Sequence, residues 1–211
     1  MSVKKDTYRI QAQTIIKNLV RRNMEGFYCD TKEDAVKKAL EIMEKGSVIA
    51  WGGSESIKEC GLMEAISDGS YELIDRTKAV TPDEQRKLYA SIVMSDYYLM
   101  STNAITLDGE LVNIDGNGNR VAALIHGPAH VLIIAGMNKV TADVESGYKR
   151  VKEAACPPNA VRLKKEIPCA LTGCCADCLA PQCFCNQIVV TRRSGHEGRI
   201  KIILVGEELG Y

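Results

Sequence analysis

A chain of 211 residues, 45% hydrophobic and 26% charged, is long enough for one sizeable globular domain with its own core. Its 27 basic and 27 acidic residues cancel, so no global field recruits nucleic acid or an anionic membrane surface, and 5% aromatics leave little for a base-stacking platform. The opening MSVKKDTYRIQAQ holds no apolar run of the signal-peptide kind and no stretch reaches membrane-spanning length, so a cytoplasmic protein with neither nucleic-acid nor membrane partners is expected.

Residues 4–23 place Ile10, Thr14, Ile15, Leu19 and Val20 near helical spacing between charged ends, which predicts an amphipathic helix whose Lys and Arg residues form a solvated face. Residues 26–28 read as a short extended link. Thr31, with Asp34 three residues on, then caps a second helix, DAVKKALEIMEK, ended by Gly46. The expected organisation is an N-terminal helix (1–30) packed on a single α/β domain (31–211) that includes a Cys-rich segment, 168–186.

Residues 47–51 (SVIAW) are short, apolar and β-prone, and they run into Gly52-Gly53-Ser54-Glu55-Ser56 and a helical IKECGLMEAIS. Strand, glycine turn and helix together aim backbone N–H groups at an anion, which makes Gly52, Gly53 and Ser54 candidate ligand-binding residues. An ordinary βα turn with Ser54 or Ser56 as N-cap is the alternative, and the stretch is neither a Walker A nor a GxGxxG. Residues 71–75 (YELID) predict another strand. Thr81-Pro82-Asp83-Glu84 predicts a helix start, with a Thr cap, Pro in the first turn and acids facing the dipole. That helix runs to about Met94 and is followed by a strand at 97–101.

The stretch 101–121, STNAITLDGELVNIDGNGNRV, lies between the apolar runs 91–100 and 131–136. It carries Asn103, Asp108, Asn113, Asp115, Asn117 and Asn119, interleaved with Gly109, Gly116 and Gly118 and closed by Arg120. Asn, Asp and Gly favour tight turns, so a plain loop has this composition too. A dense polar loop between two buried strands is also where an α/β protein places its ligand.

Beyond it, His126 before Gly127-Pro128 reads as a hydrogen-bonded structural histidine ahead of a general base, and Asn138-Lys139 ends the strand VLIIAG. Thr141 is expected to cap ADVESGYKRVKEAAC, with Pro157-Pro158 stopping that helix. Successive βα units with short loops predict an α/β fold with a mainly parallel sheet flanked by helices. At the end, QIVVTRR and RIKIILVG are expected to form an antiparallel hairpin through SGHEG, with His196 a solvent-facing turn residue.

Nine Cys in a reducing compartment read as metal ligands, reactive thiols or buried apolar residues before they read as disulfides. Six of them lie in residues 169–185 as C-x4-C-C-x2-C-x4-C-x-C. A core does not require so many thiols in so short a segment, and Pro168, Gly173 and Pro181 supply turns that wrap a chain around an ion. Thiolates suit Zn²⁺ or iron–sulfur iron, and without a His in the segment an all-Cys site is implied. The Cys175-x2-Cys178 pair is a clamp unit that needs one ligand before and one after it. Spacing alone leaves the choice of ligands and of metal open, with redox-active or structural thiols as the alternative.

WGGSES, the 101–121 stretch, VLIIAGMNK and ACPPNA together resemble the LUD domain, the lactate-utilisation protein family, over roughly Tyr8 to Gly210. The closer resemblance is to its stand-alone bacterial form with a Cys-rich C-terminal segment. The Cys pattern of that form is similar to P-C-x-x-T-G-x-C-x-D-C-x-S-P-x-x-x-C-N and falls on Cys169, Cys175, Cys178 and Cys185. Cys174 and Cys183 lie outside it, and Ala180 stands at its Ser position. The resemblance implies a fold like that of ribose-5-phosphate isomerase, glucosamine-6-phosphate isomerase and the CoA-transferases, which bind phosphorylated sugars, CoA thioesters or folates on loops after parallel strands. It implies a place beside iron–sulfur subunits in L-lactate oxidation, and so a [4Fe–4S] cluster ahead of zinc, redox partner proteins and a homodimer as an expected assembly. It defines no organic cofactor.

Isomerase-type chemistry needs a carboxylate that moves a proton beside a carbonyl and cations or amides that hold an anionic end. Asp108 and Asp115 are the candidate bases, Arg120 and Lys139 the candidate anion holders, and Asn103, Asn113 and Asn119 the polar clamps. Each Asp taken alone reads equally as a turn or cap residue. Glu55 and Glu110 are the only carboxylates placed for a CoA-transferase nucleophile, and neither sits in a matching motif. Two functions follow. One is an enzyme or enzyme subunit, of oxidoreductase or of isomerase or transferase type, acting on a small anionic metabolite: a hydroxy or keto acid or a phosphorylated compound of lactate or related organic-acid metabolism. The other is a non-catalytic ligand-binding, electron-relay or assembly subunit of a redox complex.

Overall fold

The computed structural model describes residues 2–211. Its centre is set by two apolar runs. Strand β7 (His130–Gly136) and strand β10 (Ile200–Val205) pair in parallel with Ile202 opposite Ile133 and Ile203 opposite Ile134. A strand apolar at every position must be covered on both faces. Here Val131, Ile133 and Ala135 face one helix layer, while Leu132 and Ile134 face the other.

Around this pair the sheet grows to six strands, all parallel, with β1 (Glu25–Cys29) at one edge beside β10, and with β4 (Tyr97–Met100), β2 (Val48–Trp51) and β3 (Glu72–Ile74) on the other side of β7. One face is covered by helix α1 (Val3–Arg21) through Ala12, Ile15 and Leu19. The other is covered by α2 (Lys32–Ile42) through Ala35 and Ala39, by α3 (Glu55–Glu59) through Ile57, and by α4 (Leu62–Ala65) through Leu62. Helix α5 (Pro82–Val93) returns to the first face through Ile92. It starts with a complete capping box, in which the Thr81 hydroxyl accepts from the Glu84 N–H and the Glu84 carboxylate accepts from the Thr81 N–H.

Residues 101–121 are ordered to a degree their composition does not announce. They form β5 (Ala104–Thr106), β6 (Leu111–Asp115) and the start of α6 (Asn119–Ile125). β5 and β6 pair antiparallel, β8 (Val140–Thr141) joins β5 in parallel, and β9 (Gln187–Thr191) joins β6 antiparallel, making a second, four-stranded sheet. The remaining helices, α7 (Val144–Arg150), α8 (Cys156–Arg162) and α9 (Pro168–Thr172), pack on this sheet and beside it.

Four local expectations are corrected. Residues 26–28 belong to an edge strand, because the parallel register with Ile202, Ile203 and Leu204 satisfies their backbone groups. The two C-terminal strands do not pair with each other: 187–191 joins the small sheet and 200–205 the large one, so residues 192–199 cross between sheets. The helix cap is Asp143, whose carboxylate accepts from the Ser146 N–H, and not Thr141, which is in β8. Pro157 and Pro158 do not end that helix. Residues 151–155 form a π-helical turn, and the prolines occupy the first turn of α8, where a missing N–H costs nothing.

Candidate functional site

The large sheet ends in a cleft of about 400 Å³ beyond the C-terminal ends of its parallel strands, where α/β sheets hold their ligands. β2 delivers Gly53, Ser54 and Ser56, β4 delivers Ser101 to Asn103, and β7 with its following turn delivers Lys139. The small sheet supplies Ile114 and Asp115, α6 supplies Asn119 and Arg120, and α8 supplies Cys156, Asn159 and Arg162.

Arg120 ties the floor together. One terminal nitrogen donates to the Ser101 carbonyl (3.2 Å) and to Asn113 Oδ1 (2.6 Å), and the other to Asn103 Oδ1 (2.9 Å) and the Ile114 carbonyl (2.9 Å). Its Nε lies 3.4 Å from Asp115 Oδ2. All five guanidinium N–H groups therefore have partners inside the protein, and Arg120 shapes the cleft as a scaffold. Asn113 is fully buried, and its Oδ1 also accepts from the Asn103 N–H and the Thr102 hydroxyl. Asp115 is committed as well, accepting from the Gly116 and Val121 N–H groups at the start of α6.

Lys139 is 3% exposed. Its Nζ donates to Ser56 Oγ at 2.7 Å and Ser101 Oγ at 3.0 Å. Its pKa is lowered to about 7, first by burial and then by the positive charges of Arg150 and Arg120, with Glu59 acting in the opposite direction. Residues 207–210 close behind it. Asn138 Oδ1 accepts from the Leu209 N–H, and the Ser56 hydroxyl donates to the Leu209 carbonyl. Gly136 permits this approach, since a Cβ there would meet the Leu209 nitrogen at 2.5 Å and the Glu207 oxygen at 2.6 Å.

Of the residues singled out by sequence, Gly53, Ser54, Asn103, Asp115, Asn119, Arg120 and Lys139 line this cleft. Gly52 and Asn113 lie just behind it, Gly52 against Tyr98 and Arg120, so that a Cβ there would sit 3.0 Å from Tyr98 Oη. Ser54 is the N-cap of α3, accepting from the Ile57 N–H, which leaves Ser56 to turn inward. Asp108 is placed elsewhere, in a separate small cleft with Asn18, Arg21, Arg22, Arg192 and Arg193. Sequence reasoning did not single out Arg76, Arg162 or Lys165 as cleft residues. Lone surface cations carry no local signal, and only the meeting of 76, 162 and 165 at one opening gives them meaning.

The Cys-rich segment reaches the same cleft. Cys156 and Phe184 line it, and Cys156 Sγ lies 3.5 Å from Cys185 Sγ. The segment is fastened to the 101–121 stretch where Asn186 donates its backbone N–H to the Asp115 carbonyl and its side chain to the Gly116 carbonyl. Burial raises the Cys169 thiol, with further contributions from the charges of Cys185, Cys175 and Cys178. The hydrogen bond with Cys156 and then burial raise Cys185. Soft thiol donors suit zinc or iron, so the donor chemistry fits. Among the described residues, however, no group of three or more His, Cys, Asp or Glu side chains is arranged to hold a metal ion. Among the described residues no helix is long and apolar enough to cross a membrane.

A family model described as LUD domain matches residues 12–205. Among solved structures, a DUF162 family protein from Deinococcus radiodurans is similar over 97% of this chain and 99% of its own, at 15% identity and a TM-score of 0.50, a likeness of fold. No curated protein matches.

Proposed function

This chain belongs to the LUD-domain family, a lactate-utilisation type of protein, and from that premise we propose that its cleft binds a small anionic metabolite, a hydroxy or keto acid or a phosphorylated compound. The observation that carries this reading is the excess of cations at the opening. Arg76, Arg120, Arg162 and Lys165 line it, with the buried Lys139 amine behind, against Glu55 and Asp115. Both carboxylates are paired, Asp115 with Arg120 and Glu55 with Arg162 at 3.4 Å, and among the described residues the side chains of Arg76 and Lys165 have no protein partner. Those two hold the anionic group, Arg for its planar fork and Lys as a point charge. Asn103, whose amide nitrogen donates to no described residue, orients the rest of the ligand, and Asn119 lies on the same wall. Asp115, held by Arg120 and the Gly116 and Val121 N–H groups, shapes the wall opposite Gly53 and Ser54, with Gly52 behind them.

Cys169, Cys175, Cys178 and Cys185 would hold a [4Fe–4S] cluster, or a zinc ion in its place. A cluster there supplies electron transfer to redox partner proteins, and zinc a structural clamp. The contact of Cys156 with Cys185 at the cleft wall favours the relay, because it joins the thiol segment to the bound metabolite by one side chain.

Calorimetry against L-lactate, pyruvate and a panel of sugar phosphates tests the cleft. We expect one class to bind and to raise the melting temperature, and the Arg76→Ala, Lys165→Ala double variant to weaken that binding by about tenfold or more, about 1.4 kcal/mol. Binding unchanged in the double variant overturns the assignment. Metal analysis and a visible spectrum of anaerobically purified protein test the thiol site, and a preparation with neither iron nor zinc would sink it.

A further inference from the structure

We propose that Lys139 is an imine-forming nucleophile, and that the cleft takes an aldehyde or ketone bearing a carboxylate or phosphate whose carbonyl carbon condenses with the Lys139 amine. The inference rests on the anion-binding reading of the cleft for the charged end of the ligand and adds the reaction at its other end.

The geometry around Nζ carries it. The Ser56 hydroxyl spends its hydrogen on the Leu209 carbonyl at 3.2 Å, and the Ser101 hydroxyl spends its hydrogen on the Thr102 carbonyl at 3.3 Å. Both serine oxygens are thus turned toward Lys139 as acceptors, at 2.7 and 3.0 Å. A neutral amine has two N–H groups and one lone pair. Two acceptors use up both N–H groups and leave the lone pair, the nucleophilic position, without a hydrogen bond. An ammonium would need a third acceptor, and no carboxylate is bonded to Nζ. The surroundings agree: the charged groups acting on Lys139 are Arg150 and Arg120, which oppose protonation, and Glu59, the weakest influence. A desolvated amine beside other cations is the recognised way to activate a lysine toward carbonyl carbon.

The step balances without a redox partner. The Nζ lone pair forms a C–N bond to the carbonyl carbon, giving a carbinolamine. The carbonyl oxygen then leaves as water with the two hydrogens of the amine, and a C=N bond remains. Ser101, the more open of the two serines, follows β4 and can relay one of these hydrogens, taking it from the amine while its own hydroxyl hydrogen turns from the Thr102 carbonyl to that oxygen. Arg76 and Lys165 on the same cleft hold the anionic group.

Borohydride trapping tests this. The full chain is incubated separately with pyruvate and with dihydroxyacetone phosphate at about pH 8, reduced, digested and mapped by mass spectrometry. Near pH 7 about half of an amine with this pKa is neutral, about a thousandfold more than for an ordinary lysine. We therefore expect a reduced adduct on Lys139 with one or both compounds, a trapping rate that climbs through pH 7, and no adduct at this position in Lys139→Met or Lys139→Arg, with folding of each checked by circular dichroism. The peptide map locates the adduct even where a variant fails to fold. No adduct, or adducts spread over exposed lysines with the pH profile of ordinary amines, overturns the proposal. If the same compounds still raise the melting temperature, only the imine chemistry falls. If they neither bind nor trap, the anion-binding cleft falls with it.

Discussion

In the large sheet, β4, β7 and β10 bury side chains that are apolar at almost every position, from Tyr97 to Met100, Val131 to Ala135 and Ile202 to Val205. In the small sheet the same depth of burial is shared with Thr106 and Asn113, and with Thr102 just before β5, each of which needs a hydrogen-bonding partner. Apolar burial is non-directional, so the first region is tolerant of detail and holds strands at a fixed place. The second is satisfied only if Arg120, Asn103 and Asn113 meet in one arrangement, because a buried polar group without a partner costs about 1–3 kcal/mol. The cleft lies between the two: the stiff sheet presents Ser56, Ser101 and Lys139, and the polar one sets the opposite wall.

The largest test of this contrast is Arg120→Ala, which removes one charged donor from Asp115, Asn113 and Asn103 and from the Ser101 and Ile114 carbonyls. It should cost about 4 kcal/mol in denaturant unfolding and abolish ligand binding even where the protein is still folded. If binding survives, the polar network does not shape the cleft. Next is Ile133→Ala, at the centre of the large sheet. It should cost about 3 kcal/mol but leave affinity at low temperature within about twofold, since neighbouring side chains hold the strand in place. A large loss of affinity there would erase the distinction between the two regions.

Lys139→Met reads the boundary between them. With its folded pKa held at about 7, Lys139 releases a proton that the unfolded chain keeps up to its ordinary value. Stability should therefore rise with pH from about 7 to about 10, by up to about 1.4 kcal/mol per pH unit, with the full penalty present below pH 7. Met cannot titrate, so the variant should be the more stable at pH 6 and should lose that rise. Equal pH slopes for the two proteins would mean that Lys139 stays charged when folded. The smallest effect is expected from Thr81→Ala, which removes one half of the α5 capping box, at an exposed position outside both sheets. It should cost about 1 kcal/mol by thermal melting with no change in binding.

Much of this molecule was legible from local signals. The runs at 47–51, 97–101 and 131–136 are strands, Thr31 and Thr81 cap the helices expected of them, and the parallel α/β class follows from their alternation. The glycine turn after Trp51 and the polar stretch after Met100 do meet, because both follow parallel strands of one sheet and so open on the same edge.

What local signals could not supply was pairing. Residues 26–28 look like a link until a distant strand, 200–205, offers them a register, and QIVVTRR followed by RIKIILVG looks like a hairpin although each finds a different sheet. Strand partners are chosen by long-range burial, which no window of neighbouring residues contains. The same holds for side-chain roles. Asp108 and Asp115 are alike in the sequence, both followed by glycine, yet one faces a small arginine-lined cleft and the other the main one. Lys139 reads as an ordinary cation after a strand, and only burial against Ser56, 83 residues away, and Ser101, 38 residues away, beside Arg120 and Arg150, makes its amine unlike any other in the chain. Periodicity and turn chemistry are properties of near neighbours and survive in the sequence, whereas desolvation and charge proximity are properties of what the folded chain brings together.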